Sequence, residues 1–505
     1  MSSITNQGQN VQRHRLWPVN LPRERLDVYR RVLLLSGLAA GSGLIYCLGF
    51  AKIANLFGLY DRPLLNLYTL PQGGEDGPRN LILAFLALAI FYGLGWRMSK
   101  NLGGKAAWAV VFGGSLFFGI VLLLMYPFGA TDLFDNVLRG RILGIYGGNP
   151  FLPGTVRYSA DPFYAYIGWK GWASAYGPGW ELTSSLVARL VGDGVIANIL
   201  AYKTLPGIFL LASAGVVAFI LRELAPRQAL AGTLLLAWNP IVLYETWGNG
   251  HNDMAMVFWI LLSMLAVFKR RYTLAILALV AGALFKFIPV LLIPPVFILG
   301  LRAQPTLRQR VIFVAKAAIL TFLLAALAYA PFWEGFKVFN IQSRENLYTS
   351  SLPSVIFNLL VTQDWPKREA ASLVSHSALA LMLIFVLWRS WKVWKKPSFH
   401  EIVNASVLIF LFYLMVSCLW FQNWYSLWPI GLAPLLKPGL TRRMAVLFGF
   451  LTLSKPLGIG PILFWPHPEL EQPWLEIWLT LGVMGIPWLV GFVNIWKAKH
   501  ETATS

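Results

Sequence analysis

Long apolar segments separated by short polar turns run through most of the chain. Many of these segments contain about 18 or more residues, which is enough for a helix to cross roughly 30 Å of hydrocarbon. The run from Ala106 to Tyr126 is one example. The pattern predicts an all-α integral membrane protein, a polytopic helical bundle of about fourteen transmembrane helices.

The composition supports this class and narrows the possible partners. Of the 505 residues, 57% are hydrophobic and 13% are charged, and the formal net charge is +20. The basic residues form short clusters between apolar runs and no contiguous basic face, so we expect membrane lipids and no nucleic acid as partners. Cys47 and Cys418 both lie in apolar runs, which argues against a disulfide framework or a cysteine metal site.

The clusters of Lys and Arg fall at every second turn, as the positive-inside rule requires. The pattern predicts a multi-pass protein of the inner (plasma) membrane with both termini in the cytoplasm. The predicted segments are a cytoplasmic N-terminal tail (1–31), the first three transmembrane helices (32–127), a large outer loop (128–192), a transmembrane core (193–496) with a second outer loop at 332–370, and a cytoplasmic C-terminal tail (497–505).

The stretch Pro178 to Gly192 could be a short span or a helix lying at the interface. Counting it as a span would place the later basic clusters outside the cell. The charge pattern therefore favours an interfacial helix, with Trp169, Trp172 and Trp180 at the level of the lipid headgroups.

Four ionisable residues follow the apolar run that ends at Tyr126. The segment reads T-D-L-F-D-N-V-L-R-G-R and contains Asp132, Asp135, Arg139 and Arg141. Charged groups at a membrane boundary are costly unless they are paired or lie in a wet cavity, so they are functional candidates. Asp132 could be a general base, a helix cap or the partner of Arg139 or Arg141 in a structural ion pair. The arginines could bind a phosphate or lipid headgroups.

Further polar residues lie on the same predicted face. The segment W-N-P-I-V-L-Y-E-T-W-G-N-G-H-N-D surrounds His251 and Asp253 with other polar side chains. Lys286 stands between two phenylalanines without an evident partner, and either a phosphate or snorkelling to the interface would satisfy it. Aromatic side chains near the end of the chain could stack on a sugar or belong to an interfacial belt. The candidate substrate contacts outside the first motif are Asn149, Tyr176, Glu245, Asn252, Lys286, Trp424 and Tyr425.

Together these segments resemble the GT-C glycosyltransferases, and more narrowly the bacterial polyprenyl-phosphate-mannose-dependent α-mannosyltransferases. The matching elements, in order, are Asp132 with Phe134, Gly140-Arg141 and Asn149-Pro150-Phe151, then Trp238–Asp253, Lys286 and Trp424–Pro429. Phe134 and Phe151 stand where tyrosines are common in that family. The resemblance implies a GT-C-like transmembrane core whose outer loops carry interfacial helices.

The resemblance also implies a reaction. A sugar, most often mannose in that family, would pass from a polyprenyl-phosphate donor to a hydroxyl of a glycan or glycolipid on the outer, periplasmic face, with inversion. Asp132 would be the general base and His251 and Asp253 further catalytic residues, while Arg141 and Lys286 would contact the departing phosphate. No cofactor and no metal would be needed. The alternative from the residues alone is a transporter or flippase of lipid-linked sugars.

Overall fold

The computed structural model describes residues 23–65, 76–339, 347–453, 477–478, 480–487 and 489. In these ranges the chain is almost entirely helical, and they contain no β-strand beyond isolated bridges. Seven of the described helices are long and apolar enough to cross a membrane, and four shorter apolar helices accompany them. The prediction of an all-α polytopic membrane protein is confirmed, whereas the count of about fourteen spans stays a prediction.

Most of the described α-helices are joined by short connections, several of which contain a 3₁₀ turn, whereas longer segments, 145–177 and 330–351, separate α5 from α6 and α13 from α14. They are α1 (Arg23–Tyr46), α2 (Leu56–Leu59), α3 (Asp76–Ser99), α4 (Lys105–Leu123), α5 (Asp132–Gly144), α6 (Pro178–Val191), α7 (Val195–Leu224), α8 (Ala229–Ala237), α9 (Pro240–Leu243), α10 (Asp253–Phe268), α11 (Tyr272–Ala283), α12 (Ile293–Arg302), α13 (Leu307–Tyr329), α14 (Leu352–Thr362), α15 (Lys367–Lys395), α16 (Phe399–Phe412), α17 (Leu427–Leu432) and α18 (Leu440–Thr452).

Helix α7 is central and helix α13 is peripheral. Half of the apolar window of α7 is buried inside the protein, compared with 11% for α13. The exposed side chains of α13 include Phe322 and Leu327. A helix that is apolar all round with most of its surface exposed is typical of contact with lipid. Helix α7, with 30 residues, reaches about 45 Å from one end of the bundle to the other.

Close packing around Trp247 fixes the helices next to the site. Trp247 lies in a π-helical turn, Tyr244–Gly248, that follows α9. A side chain added at Gly119 of α4 or Gly207 of α7 would meet the indole of Trp247 at 2.5 and 2.3 Å. Small residues of this kind let helices approach in a bilayer. Trp247 therefore holds α4, α7 and the π-helical turn together.

The first outer loop predicted from the sequence contains α5 and α6, which pack against each other. They have 13 and 14 residues, too few to span a bilayer as helices. Leu182, Leu186 and Leu190 form an exposed row along α6, while Trp180 and Glu181 face inward. A short helix with one exposed apolar row suits an interfacial position. Trp180 is fully buried, so our prediction that it lies among headgroups is wrong.

Lys203 of α7 fixes the beginning of this loop. Its ammonium group is fully buried and donates hydrogen bonds to the carbonyl oxygens of Leu122 at 2.8 Å and Leu123 at 3.1 Å, and also to that of Met125. Leu122 and Leu123 belong to the last turn of α4 and Met125 follows it, so these carbonyls lie where the i to i+4 bonding of the helix ends. A cation there also complements the helix dipole.

Parts of the predicted segment scheme fall on residues that the structure does not describe. These are 1–22 of the N-terminal tail, 66–75 among the first three predicted spans, 340–346 of the second outer loop, 454–476, 479, 488 and 490–496 of the predicted core, and the C-terminal tail 497–505. Helix α1 begins at Arg23, whereas the sequence placed the first span at residue 32. The helix includes the basic residues that precede the apolar run, so it begins before the predicted span. The remaining boundaries of the scheme stay predictions.

Candidate active site

A cavity of about 480 Å³ lies beside the first turn of α5, and we call it the Asp132 cavity. Its volume is within the usual range for small-ligand sites. The side chains on its polar wall come from α5, the 164–177 loop, the 286 turn and the 413–428 region. They are Asp132, Asp135, Arg139, Trp169, Tyr176, Lys286, Tyr413, Trp420, Tyr425 and Trp428. The opposite wall is apolar, with Leu291, Leu379 and Met382 among its residues.

Asp132 is the first residue of α5 and is half-buried at the cavity wall. The hydroxyl group of Tyr176 donates a hydrogen bond of 3.1 Å to Oδ2 of Asp132. The helix N-terminus stabilises a carboxylate at this position. The hydrogen bond from Tyr176 orients the carboxylate of Asp132, which lines the cavity.

Asp135 and Arg139 form a buried ion pair one turn further along α5. Arg139 Nη1 lies 3.2 Å from Asp135 Oδ1, and Arg139 Nη2 donates to the carbonyl oxygen of Trp172 at 3.3 Å. Asp135 also accepts hydrogen bonds from Thr131 and from the amides of Gly168 and Trp169. Burial raises the pKa of Asp135, while Arg139 opposes this shift and Asp132 adds to it. Asp135 is saturated with partners and orients Arg139.

Glu181 lies behind this pair and was not singled out from the sequence. It is fully buried on α6 and accepts a hydrogen bond of 2.5 Å from Ser174. Burial raises the pKa of Glu181 to about 7, although Ser174 and the nearby charge of Arg139 lower it. A glutamate in the first turn of a helix is common on surfaces, so the sequence offered no sign of its burial.

Lys286 reaches the same cavity from the break between α11 and α12. Its Nζ donates a hydrogen bond of 2.8 Å to Oδ1 of Asp253, and it lies 4.6 Å from the ring centroid of Tyr425. Trp428 Nε1 donates to the same oxygen of Asp253 at 2.5 Å. The expectation that Lys286 has no partner in the protein is wrong, because Asp253 supplies one. Asp253 itself is 1% exposed and is not among the residues that line the cavity.

Backbone contacts hold Tyr176 and Lys286 near each other. The amides of Gly177 and Gly179 donate to the carbonyl oxygens of Phe285 and Leu284 at 3.0 and 2.8 Å. A Cβ atom at Gly177 would lie 2.3 Å from the Leu284 oxygen, so this approach requires glycine. The start of α6 is thereby attached to the break that carries Lys286.

A second polar group lies behind the cavity wall, centred on Glu245. Its carboxylate is bonded to His251 Nδ1 at 2.9 Å, to Asn249 at 3.1 Å and to Asn423 at 2.5 Å. Trp424 stacks on the ring of His251, with centroids 3.9 Å apart and planes 14° apart. The group joins two segments that are far apart in the sequence, 245–251 and 423–424, and none of these residues lines the cavity.

His251 occupies the turn between the π-helical segment and α10, outside the spanning helices. Burial lowers its pKa, but the hydrogen bond and charge of Glu245, with the charges of Asp132 and Asp253, raise it above the ordinary value. Several buried polar atoms near this turn have no hydrogen-bond partner among the described residues, namely Nε2 of His251, Nδ2 of Asn252, Oδ2 of Asp253 and Nε of Arg139. Unsatisfied buried groups are uncommon and often occur where a ligand binds.

The predicted substrate contacts Glu245, Asn252 and Trp424 are therefore not at the cavity surface, and two further ones, Arg141 and Asn149, are also absent from its lining. Arg141 is bonded to Asp161 at 2.7 Å and to Asp193 at 2.7 Å, and it does not line the cavity. Asn149 donates to the Phe332 carbonyl and to Glu334, at 2.8 and 3.0 Å. Arg141 thus connects α5 to its flanking loops, and Asn149 connects the first outer loop to the second. The geometry does not support our prediction that they contact substrate.

Aromatic rings close one side of the cavity. Trp169 and Trp420 meet edge to face, with centroids 5.2 Å apart. The sequence placed Trp169 among headgroups and did not select Trp420. A bridge between Thr349 and Trp420 attaches the second outer loop to this wall. The pairing depends on chain segments about 250 residues apart, so no local pattern indicates it.

The described residues contain no group of three or more His, Cys, Asp or Glu side chains that could hold a metal ion. Whether the reaction needs a metal stays an untested expectation. The chemical groups at the cavity are instead a half-buried carboxylate, two cations and an aromatic wall. A helical membrane bundle with this site is typical of a GT-C glycosyltransferase.

Comparison with known proteins agrees with this class. Residues 52–302 match the family described as alpha-(1->6)-mannopyranosyltransferase, N-terminal domain. Alpha-(1->6)-mannopyranosyltransferase A of Corynebacterium glutamicum is 23% identical over 384 residues, covering 69% of this chain and 78% of that protein. The protein of the same description from Mycobacterium tuberculosis is 23% identical over 449 residues, which cover 83% of this chain and 81% of that protein.

These matches support a GT-C glycosyltransferase of the mannosyltransferase kind, as the sequence motifs predict. The transporter alternative receives no support from these relatives. The matched region ends at residue 302, so it includes Asp132, Asp253 and Lys286 but not Tyr425.

Proposed function

We propose that this protein transfers a mannosyl group from a polyprenyl-phosphate donor to a hydroxyl group of a glycan or glycolipid acceptor. The reaction inverts the anomeric carbon and takes place on the outer, periplasmic face of the inner membrane, with both termini in the cytoplasm. The single observation that carries the proposal is that Asp132 and Lys286, one base and one cation, face the same cavity. The mannosyltransferase relatives support the choice of sugar.

Asp132 is the proposed general base. The acceptor oxygen forms a bond to the anomeric carbon while its proton passes to the carboxylate of Asp132. Tyr176 holds this carboxylate through its hydrogen bond of 3.1 Å. Attack from the side opposite the phosphate accounts for inversion, and a positioned base contributes about 10²- to 10⁴-fold to such a step.

Arg139 and Lys286 are the proposed contacts of the leaving phosphate. As the bond between the anomeric carbon and the phosphate oxygen breaks, its electron pair stays on that oxygen and the negative charge there grows. Asp253 accepts one of the three N–H groups of Lys286, so further donors remain for the phosphate. Fixed cations near developing charge stabilise the transition state.

Asp253 and His251 then act through other residues and need not touch the sugar. Asp253 orients Lys286 and Trp428, and His251 is hydrogen-bonded to Glu245 and stacked on Trp424. The predicted catalytic role is thus kept for Asp132 alone, and no cofactor or metal is required by these steps.

The apolar wall of the cavity suits the isoprenoid part of the donor. Leu291, Leu379 and Met382 come from or near helices α12 and α15, and α15 exposes many apolar side chains to its surroundings. An isoprenoid chain bound there would keep its carbons away from water. The aromatic residue Tyr425, stacked on Trp428, is then available to the sugar face.

The test is transfer of mannose from a synthetic polyprenyl-phosphate mannose to a mannoside acceptor by the purified full-length protein. We expect Asp132→Asn to lower the rate by about 10³-fold, because it removes the base and keeps the size of the side chain. Asp364→Asn is the matched control, since Asp364 is exposed, lies away from the cavity and has φ 61°, which Asn tolerates. Comparing the anomeric configuration of donor and product by NMR tests inversion.

A further inference from the structure

A second cavity of about 830 Å³ lies at the other end of the bundle from Asp132. Helix α7 begins near the Asp132 cavity and ends at this one, and α16 runs between the two in the opposite direction. The second cavity is formed where α3 ends, α8 begins and α18 begins. Its ionisable side chains are basic, so we call it the basic cavity, and they are Lys100, His400, Lys437, Arg442 and Arg443.

The positive charge of the basic cavity is not balanced by neighbouring carboxylates. Among the described residues that line it, none is Asp or Glu. Lys100, Lys437, Arg442 and Arg443 form no ion pair within the described ranges. Four cations that line one cavity create a positive potential there, which an anion would stabilise.

Two further features favour an anion. Helix α18 begins at Leu440 beside these cations, and Gly439 provides no side-chain cap for its first amides. Free amides at a helix N-terminus attract negative charge. Nδ1 of His400 is buried and has no hydrogen-bond partner in the described part of the chain. The first amides of α18 and the imidazole of His400 therefore offer hydrogen-bond donors in addition to the four cations.

The rest of the basic cavity is apolar and aromatic. Its walls include Leu221, Leu235, Val446 and Phe450. Trp96 lies between Lys100 and Arg442, whose charged groups are 3.7 and 5.9 Å from its ring centroid. A soluble anion would leave these walls in contact with water. A ligand with an acyl chain would cover them while its headgroup meets the cations.

We propose that the basic cavity binds the phosphate headgroup of an anionic membrane lipid. Basic pockets between helices at a membrane boundary are suited to such headgroups. Arg442, which is half-buried, contacts the phosphate, and the exposed Lys437 and Arg443 complete the site at its rim. The site is separate from the Asp132 cavity and does not depend on the transfer reaction.

The test is native mass spectrometry of the delipidated full-length protein with phosphatidylcholine, phosphatidylglycerol, cardiolipin or polyprenyl phosphate added in turn. We expect the anionic lipids to be retained at least about tenfold better than phosphatidylcholine, because each basic residue contributes roughly fivefold. Preference for phosphatidylglycerol and cardiolipin identifies a phospholipid site, and preference for polyprenyl phosphate identifies a carrier-lipid site only if the basic-cavity variant described below loses it, because the Asp132 cavity is also proposed to bind this lipid. Equal retention of phosphatidylcholine overturns the proposal.

Variants locate the binding. Replacing Lys437, Arg442 and Arg443 by Gln together should reduce retention of anionic lipid on the order of tenfold to 100-fold. The matched control replaces Arg270, Arg271 and Arg308 by Gln, which removes the same charge outside the cavity. If the control loses as much binding as the cavity variant, the proposal fails. Should the triple variant not fold, Lys437→Gln alone, at an exposed position, must still lower retention about fivefold.

Discussion

The ammonium group of Lys286 is hydrogen-bonded to the carboxylate of Asp253 at 2.8 Å, across 33 positions of the chain. Asp253 is at the start of α10, and Lys286 follows α11, so the bond joins two ends of a helical hairpin. Only Lys286 of the two faces the cavity. The hydrogen bond to Asp253 therefore fixes the ammonium group of Lys286 at the cavity wall.

This pair predicts unequal effects of its two single substitutions. Lys286→Gln should lower the transfer rate by about 10²- to 10³-fold, because a contact to the developing charge is lost. Asp253→Asn should lower the free energy of unfolding by about 3 kcal/mol, because a buried cation then lacks its partner. The double variant should be more stable than Asp253→Asn alone. Thermal unfolding in detergent measures this, and equal stability of the two would contradict the pairing.

Arg139 and Arg141 are two positions apart but have different surroundings. Arg139→Gln should raise the KM for the lipid donor by about tenfold with moderate loss of stability, because Arg139 lines the cavity. Arg141→Gln should reduce stability by about 3 kcal/mol, because Asp161 keeps a buried charge without its partner. Donor titration and melting curves separate these effects. A larger rise in KM for Arg141→Gln than for Arg139→Gln would show that Arg141, and not Arg139, contacts the phosphate.

Glu181 predicts a pH dependence of stability. Its pKa in the folded protein is about 7, compared with 4.5 ordinarily. The folded state then holds a proton that the unfolded state loses between pH 4.5 and 7, so stability falls as the pH rises through this interval. The loss is about 3 kcal/mol and levels off above pH 7. Melting temperatures of the wild type and Glu181→Gln from pH 4.5 to 8 test this, since the variant should lack this decrease.

The proposed sidedness predicts labelling by a membrane-impermeant maleimide. Lys170 and Arg308 are exposed near opposite ends of the bundle. In a background with Cys47 and Cys418 replaced by Ser, Lys170→Cys should react in intact spheroplasts. Arg308→Cys should react only after the membrane is opened. The reverse pattern would show that the Asp132 cavity faces the cytoplasm.

The fold class and the positions of the polar segments could be predicted from the sequence, because apolar run length and basic turns report directly on spans. Asp132 and Lys286 were selected for the cost of their charge at a membrane boundary, and the structure places both at one cavity. Their roles remain proposals.

The pairings could not be predicted. Arg141 is bound by Asp161 and Asp193, which lie in loops with no periodic pattern. Glu181 is buried because α6 packs on α5, and a helix of 14 residues with mixed composition does not reveal which side is covered. Partner choice in this loop depends on tertiary packing, which spacing along the chain does not encode.

The central claim is that one cavity holds the base and the phosphate contacts. A cryo-electron microscopy structure with a non-hydrolysable polyprenyl-phosphate mannose analogue tests it most directly. The account predicts the phosphate within hydrogen-bond distance of Lys286 and Arg139, with the isoprenoid along Leu379 and Met382. The anomeric carbon should face Asp132 from the side opposite the phosphate. A phosphate bound elsewhere, with Asp132 out of reach of the sugar, would contradict the account.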